Sequence, residues 1–221
     1  MNKGKKCWCG SGKTCDTCLK SVEGKFSVFL KEEYIAKYIR YLSAQIWFKD
    51  LTVEELDKYY LKKGDDEFNL ESQVFEGVVE NLVFEADIYG STPLKLFFES
   101  PKIPSHEIEF YKKWVNENVL SIFEVVDVDL GTSITLADLR AKRKRYIVFE
   151  PTQDMNIRVG HCICCRLVPI KGHYVVVGGF AEGMPKHIAQ KILKNFRVEK
   201  EQITGTRLMR LMYGKETGEG G

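Results

Sequence analysis

No stretch of this 221-residue chain approaches the roughly 18 to 20 consecutive apolar residues of a bilayer-crossing helix, which excludes a helical membrane span. No apolar run follows the basic start Met1–Lys6, so the sequence predicts no secretory leader, a cytoplasmic location and reduced thiols. Catalytic signatures are also missing. His106, His161, His173 and His187 stand in no pairing with a Ser or Cys nucleophile, and neither His-Glu-x-x-His nor a glycine-flanked serine occurs. No carboxylate pair has metal spacing, so no catalytic residue is assigned, and an enzyme using residues scattered through the helical region stays open as a third reading. Internal repeats are absent as well.

Cysteine is plentiful, with four within twelve residues at Cys7, Cys9, Cys15 and Cys18. Zinc takes four thiolate or imidazole ligands in a tetrahedron, and a segment rich in Gly and Lys has almost no apolar material of its own to bury. Metal binding would then supply the folding free energy that a core cannot. The intervening Gly10-Ser11-Gly12-Lys13-Thr14 imitates the end of a phosphate-binding loop. Cys7 occupies the place of that loop's first glycine, and the polar residues before it offer no buried strand. A disulfide framework fits poorly with reduced thiols and an odd total of seven cysteines. Free or redox-active thiols are the remaining alternative to zinc.

The pattern Cys7-x-Cys9-Gly10-Ser11-Gly12-Lys13, with Cys18 nine residues after Cys9, resembles the SEC-C motif, a zinc module named for the C-terminus of the SecA preprotein translocase ATPase. The resemblance spans residues 5–20. It places Cys7, Cys9 and Cys18 on the first three ligand positions. The fourth is Leu19 here, and Cys15, where the family usually has an aromatic residue, is the replacement ligand. The resemblance implies a structural Zn²⁺ and a module for protein or ribosome contacts, not catalysis.

Charge is unevenly spread along the chain: +4 over residues 1–26, −7 over 27–119 and +5 over 120–221. An acidic centre between basic ends bears on partners. Residues 25–119 read as a helical domain. Phe29, Tyr34, Ile35, Tyr38, Ile39, Leu42 and Ile46 recur at helical spacing. Thr52 and Glu55 read as a capping box opening a short helix through Tyr60 and Leu61. Residues 62–66 break the chain, and Phe68, Leu70, Val74, Val78, Leu82 and Phe84 form a further helix ending near Gly90. Thr92-Pro93 caps and opens the next one. Ile108, Phe110, Tyr111, Trp114 and Val115 mark the last.

After residue 120 the period changes to that of strands: 121–129, 133–139, 145–149, 159–169 and 174–177. Short strands separated by turns predict a small antiparallel β-barrel over 120–180. A helical segment over 181–213 carries Ile188, Ile192, Leu193 and Phe196 on one side, and 214–221 reads as a disordered polar tail. The fold class is therefore α+β: a zinc knuckle over 1–24, a helical domain, a small barrel and a C-terminal helix.

Two clusters in the barrel segment could carry chemistry. His161-Cys162-x-Cys164-Cys165 imitates a second metal site, with His173 the nearest further donor. Strand alternation puts Cys162 and Cys164 on one face and His161 and Cys165 on the other, which favours wall or core thiols. Arg140, Lys142, Arg143, Lys144 and Arg145 place five cations in six positions at a hairpin tip, a candidate contact for RNA phosphates, with Tyr146 able to stack on a base or fill a strand core. The primary reading is a non-catalytic zinc-binding adaptor, with an RNA-binding protein as the alternative.

Overall fold

The computed structural model describes residues 19–56, 67–101, 103–129, 133–149, 157–170, 173–199, 204, 205, 207 and 208. Cys7, Cys9, Cys15 and Cys18 lie outside these residues, as do the 214–221 tail, Tyr60 and Leu61. Within them the helices are α1 (Leu19–Ser43), α2 (Ile46–Leu56), α3 (Glu67–Glu85), α4 (Pro93–Phe98), α5 (Ser105–Glu117) and α6 (Lys186–Glu199). The strands are β1 (Val119–Asp129), β2 (Ser133–Asp138), β3 (Arg145–Phe149), β4 (Cys162–Ile170) and β5 (His173–Met184). No helix among the described residues is long and apolar enough to cross a membrane.

The five strands close into a barrel in the order β1-β2-β3-β5-β4. All pairings are antiparallel except β3 with β5, which run parallel at Val148 and Tyr174. The expected all-antiparallel barrel is corrected at this seam, because β3 and β5 are joined through β4 rather than by a hairpin. Five strands in this order form a closed Greek-key barrel. Bulges between Val125 and Asp127, and twice along β4–β5, add the curvature that closure needs.

Alternation divides the core in two. Phe123, Val125, Ile134, Leu136, Tyr146, Val148, Ile163, Cys165 and Leu167 fill the barrel interior. Cys162, Cys164, Val168 and Ile170 point out of the same strand into a second cluster shared with the helices. In that cluster Tyr34, Tyr38 and Leu42, one helical turn apart on α1, meet Phe97, Tyr111 and Trp114. The rings of Phe97 and Tyr111 pack edge to face with centroids 5.0 Å apart. Trp114 Nε1 donates to the Pro169 carbonyl at 3.2 Å, fixing α5 to β4.

One buried cation locks this layer. Arg166, on β4, donates from Nε to Glu80 Oε1 at 2.9 Å, from Nη1 to Asn118 Oδ1 at 2.6 Å and from Nη2 to Glu85 Oε1. Its guanidinium stacks 4.7 Å from the Phe84 ring centroid. The Gly205 N–H donates to both Glu85 oxygens, at 2.8 and 2.9 Å, so the chain at Gly205 is tied to the same node.

Two local expectations fail. Thr52 and Glu55 lie inside α2, where the Thr52 hydroxyl donates back to the Phe48 carbonyl at 2.7 Å instead of capping. Ile46 opens α2 and is exposed, because α1 ends at Ser43 and does not carry its apolar face that far. By contrast Thr92 caps α4 as expected, accepting from the Lys95 N–H at 3.3 Å with Pro93 in the first turn.

Candidate nucleic-acid interface

β2 and β3 are joined by a turn that holds four of the five sequence-predicted cations, and Arg145 opens β3 opposite Ala137. The base of the turn is organised by Asp138, a residue that sequence reasoning did not single out. The Asp138 carboxylate accepts from Ser121 Oγ at 2.7 Å and from the N–H groups of Arg140 and Ala141 at 2.8 and 3.3 Å. An aspartate two residues before a turn is the available sequence signal, since Asx side chains bond to backbone ahead of them. The Lys144 N–H donates to the Ala141 carbonyl at 2.9 Å. Lys142 and Arg143 between them have φ of 48° and 61°. Positive φ at both central residues defines a type I′ turn, which matches strand twist but favours Asn-Gly.

The five cations differ in their surroundings. Arg143 Nη1 lies 2.6 Å from Glu124 Oε2, and Lys186 Nζ lies 3.1 Å from the same carboxylate. The Arg143 hydrogen bond above all holds the Glu124 carboxyl below its ordinary pKa. Lys144 Nζ sits 5.0 Å from the Tyr146 ring centroid. Arg140, Lys142, Lys144 and Arg145 have no carboxylate partner among the described residues. Lys142, Lys144 and Arg145 are exposed and Arg140 is half-buried.

Tyr146 is 4% exposed and faces the barrel interior, 5.8 Å from Phe123 and 5.0 Å from Tyr174 between ring centroids. Its alternative role as a stacking platform is thereby overturned, since β3 alternation turns it inward and turns Arg145 and Ile147 outward. Asp127 and Asp129 sit at the other end of the β1–β2 ladder, with Asp129 opposite Ser133 while Phe123 is opposite Asp138. Five residues of strand put about 17 Å between those ends. Burial and the neighbouring Asp127 raise the Asp129 pKa.

The His161–Cys165 cluster is spread out by the same alternation. Cys162 and Cys164 face the helices, and Cys165 faces the barrel interior. Burial pushes the Cys162 and Cys164 thiols up, away from the thiolate form that binds metals. His161 adjoins the start of β4, and its Nδ1 is packed where a Cβ on Gly183 would stand. His173 pairs with Ile170 at the other end, about 30 Å along the strand. No group of three or more metal-ligating side chains is brought together among the described residues.

No family model, curated protein or solved structure matches this chain.

Proposed function

We propose that the barrel is an RNA-binding module whose contact is the β2–β3 hairpin. The observation that carries this reading is a turn and the start of β3 bearing Arg140, Lys142, Lys144 and Arg145, three of them exposed, without carboxylate partners among the described residues. Exposed cations can replace the counterions of a phosphate chain, and the release of those counterions supplies the affinity. The barrel order alone assigns no function. Arg143, shared with Glu124, contributes less.

The test is fluorescence anisotropy with a labelled structured RNA at two salt concentrations, comparing the parent with Lys142→Ser/Lys144→Ser/Arg145→Ser. Removing a cation that neutralises one phosphate should flatten the log–log salt slope by about one unit. An unchanged slope, or no binding by the parent at low salt, rejects the reading.

The N-terminal cysteines support a second element of function. Four thiols within twelve residues form a complete donor set for a structural Zn²⁺, with Cys7, Cys9, Cys15 and Cys18 as ligands. Four thiolates on Zn²⁺ carry a net charge of −2, which Lys5, Lys6, Lys13 and Lys20 offset. As an adaptor, the knuckle would contact a protein or ribosome partner in the cytoplasm while the hairpin contacts RNA. Elemental analysis should find one zinc per chain, lost or weakened in Cys15→Ser. Unchanged zinc in that variant removes Cys15 from the site.

A further inference from the structure

We infer that the hairpin engages the phosphate backbone of a double-helical stretch of RNA, not the splayed bases of a single strand; this rests on the RNA-binding reading above. Single-strand recognition depends on aromatic side chains on which successive bases stack. β1, β2, β3 and the hairpin contain three aromatic residues, Phe123, Tyr146 and Phe149, and all three are buried. What β2 and β3 leave accessible on their outward side is Thr135, Arg145 and Ile147, with Ile147 58% exposed, while Ala137 is buried. None of these is aromatic, and none is an amide of the kind that reads base edges.

A strand laid along the barrel face away from the tip would also run toward Asp127 and Asp129, whose charge opposes phosphate. The favourable contact is therefore confined to the tip. Over so short a span the number of phosphates within reach decides the outcome. A duplex carries about twice the phosphate charge of one of its strands per unit length of axis, so more phosphates lie within reach of a short cationic turn. Duplex RNA is recognised mostly by shape and by phosphate and 2′-hydroxyl contacts, which lysine and arginine make without stacking.

The experiment compares a 12-base-pair RNA duplex with an unstructured 24-nucleotide single strand, so that the phosphate totals are closely matched. Both are titrated with the full chain at low salt, with circular dichroism checking that each variant is folded. The duplex should bind at least about tenfold tighter, alike for scrambled sequences, and Lys142→Ser/Lys144→Ser/Arg145→Ser should remove most of that affinity. A single strand that binds as tightly as the duplex, with both sensitive to the hairpin variant, overturns the duplex inference and leaves RNA binding standing. Binding to neither RNA, or binding that the hairpin variant does not change, overturns both.

Discussion

β4 and the β2–β3 hairpin belong to one closed barrel and have opposite relations to solvent. β4 is covered on both faces, by the barrel interior on one and by the helices on the other, so that a nearly continuous run from Cys162 to Val168 is buried. The hairpin has a core only at its base. Each region presents an arginine to glutamate, and the two pairs do different work. Arg166 has no water to fall back on and needs Glu80, Glu85 and Asn118 together. Arg143 is half in water and shares Glu124 with Lys186. An ion pair specifies architecture where desolvation makes every partner necessary, and it merely trims charge where water can substitute.

The largest effect expected is therefore at Arg166. Arg166→Met keeps the bulk of the side chain but leaves the Glu85 and Glu80 carboxyls without their cation. Breaking one side of a buried pair costs about 3–5 kcal/mol. Urea denaturation should show a loss in that range. A loss below about 1 kcal/mol would mean that Gly205 alone satisfies Glu85 and that β4 is not locked from outside.

Gly205 tests the same wall from the C-terminal side. A Cβ placed there would come 1.6 Å from Asn81 Oδ1, a buried atom with no hydrogen-bond partner among the described residues. Gly205→Ala should destabilise by about 1–3 kcal/mol, the range of overpacking. Asn81→Ala removes the obstructing amide, so the double variant should recover most of the loss. Additive losses in this cycle would place the strain elsewhere.

The buried side should also respond to pH. Burial pushes the Glu80 carboxyl up from 4.5 to about 8, against the opposing pull of Arg166. One arginine facing two carboxylates is balanced when one of them keeps its proton. A raised folded pKa means that the folded state holds the extra proton between about 4.5 and 8. That contribution to stability is fully present below this window and is lost as pH rises through it, by at most about 1.4 kcal/mol per pH unit. Glu80→Gln should flatten the decline seen in denaturation between pH 5 and 8. Parent and Glu80→Gln curves with the same slope over that range would show Glu80 ionised throughout.

Much of the architecture was legible in the sequence because it depends on local period. The α1 and α5 faces, the Thr92-Pro93 start and the strand at 121–129 follow from spacing, as does the split of Cys162 and Cys164 from Cys165. The misreading at Thr52 has a simple cause: three residues to Glu55 is one helical turn whether a threonine caps a helix or lies within it. The parallel β3–β5 seam was not legible, because no local pattern encodes which distant strand closes a barrel. Arg166 is marked in the sequence only as a lone charge in the apolar run from Ile163 to Ile170, which does not name its distant partners. At the hairpin the cations were visible as composition. Their different surroundings were not, since Arg143 meets Glu124 across 19 residues and Lys186 meets the same carboxylate across 62.

The smallest effects, at the hairpin tip, compare its two central residues directly. Lys142 and Arg143 both occupy left-handed backbone, which disfavours any residue with a Cβ by roughly 1–2 kcal/mol. Lys142→Gly removes that strain and touches no ion pair, so it should stabilise by about 0.5–1 kcal/mol after the flexibility of glycine in the unfolded chain is counted. Arg143→Gly relieves similar strain but gives up the Glu124 pairing, worth at most about 1 kcal/mol at such an exposed side chain, and should leave stability nearly unchanged. For RNA binding the two should separate the other way. Lys142, without a partner among the described residues, should take about one unit of salt slope with it when removed, and Arg143 clearly less. A loss above about 1.5 kcal/mol on Arg143→Gly would give that arginine the structural importance assigned to Arg166. The contrast between a sealed wall and an open tip would then fail at its most exposed point.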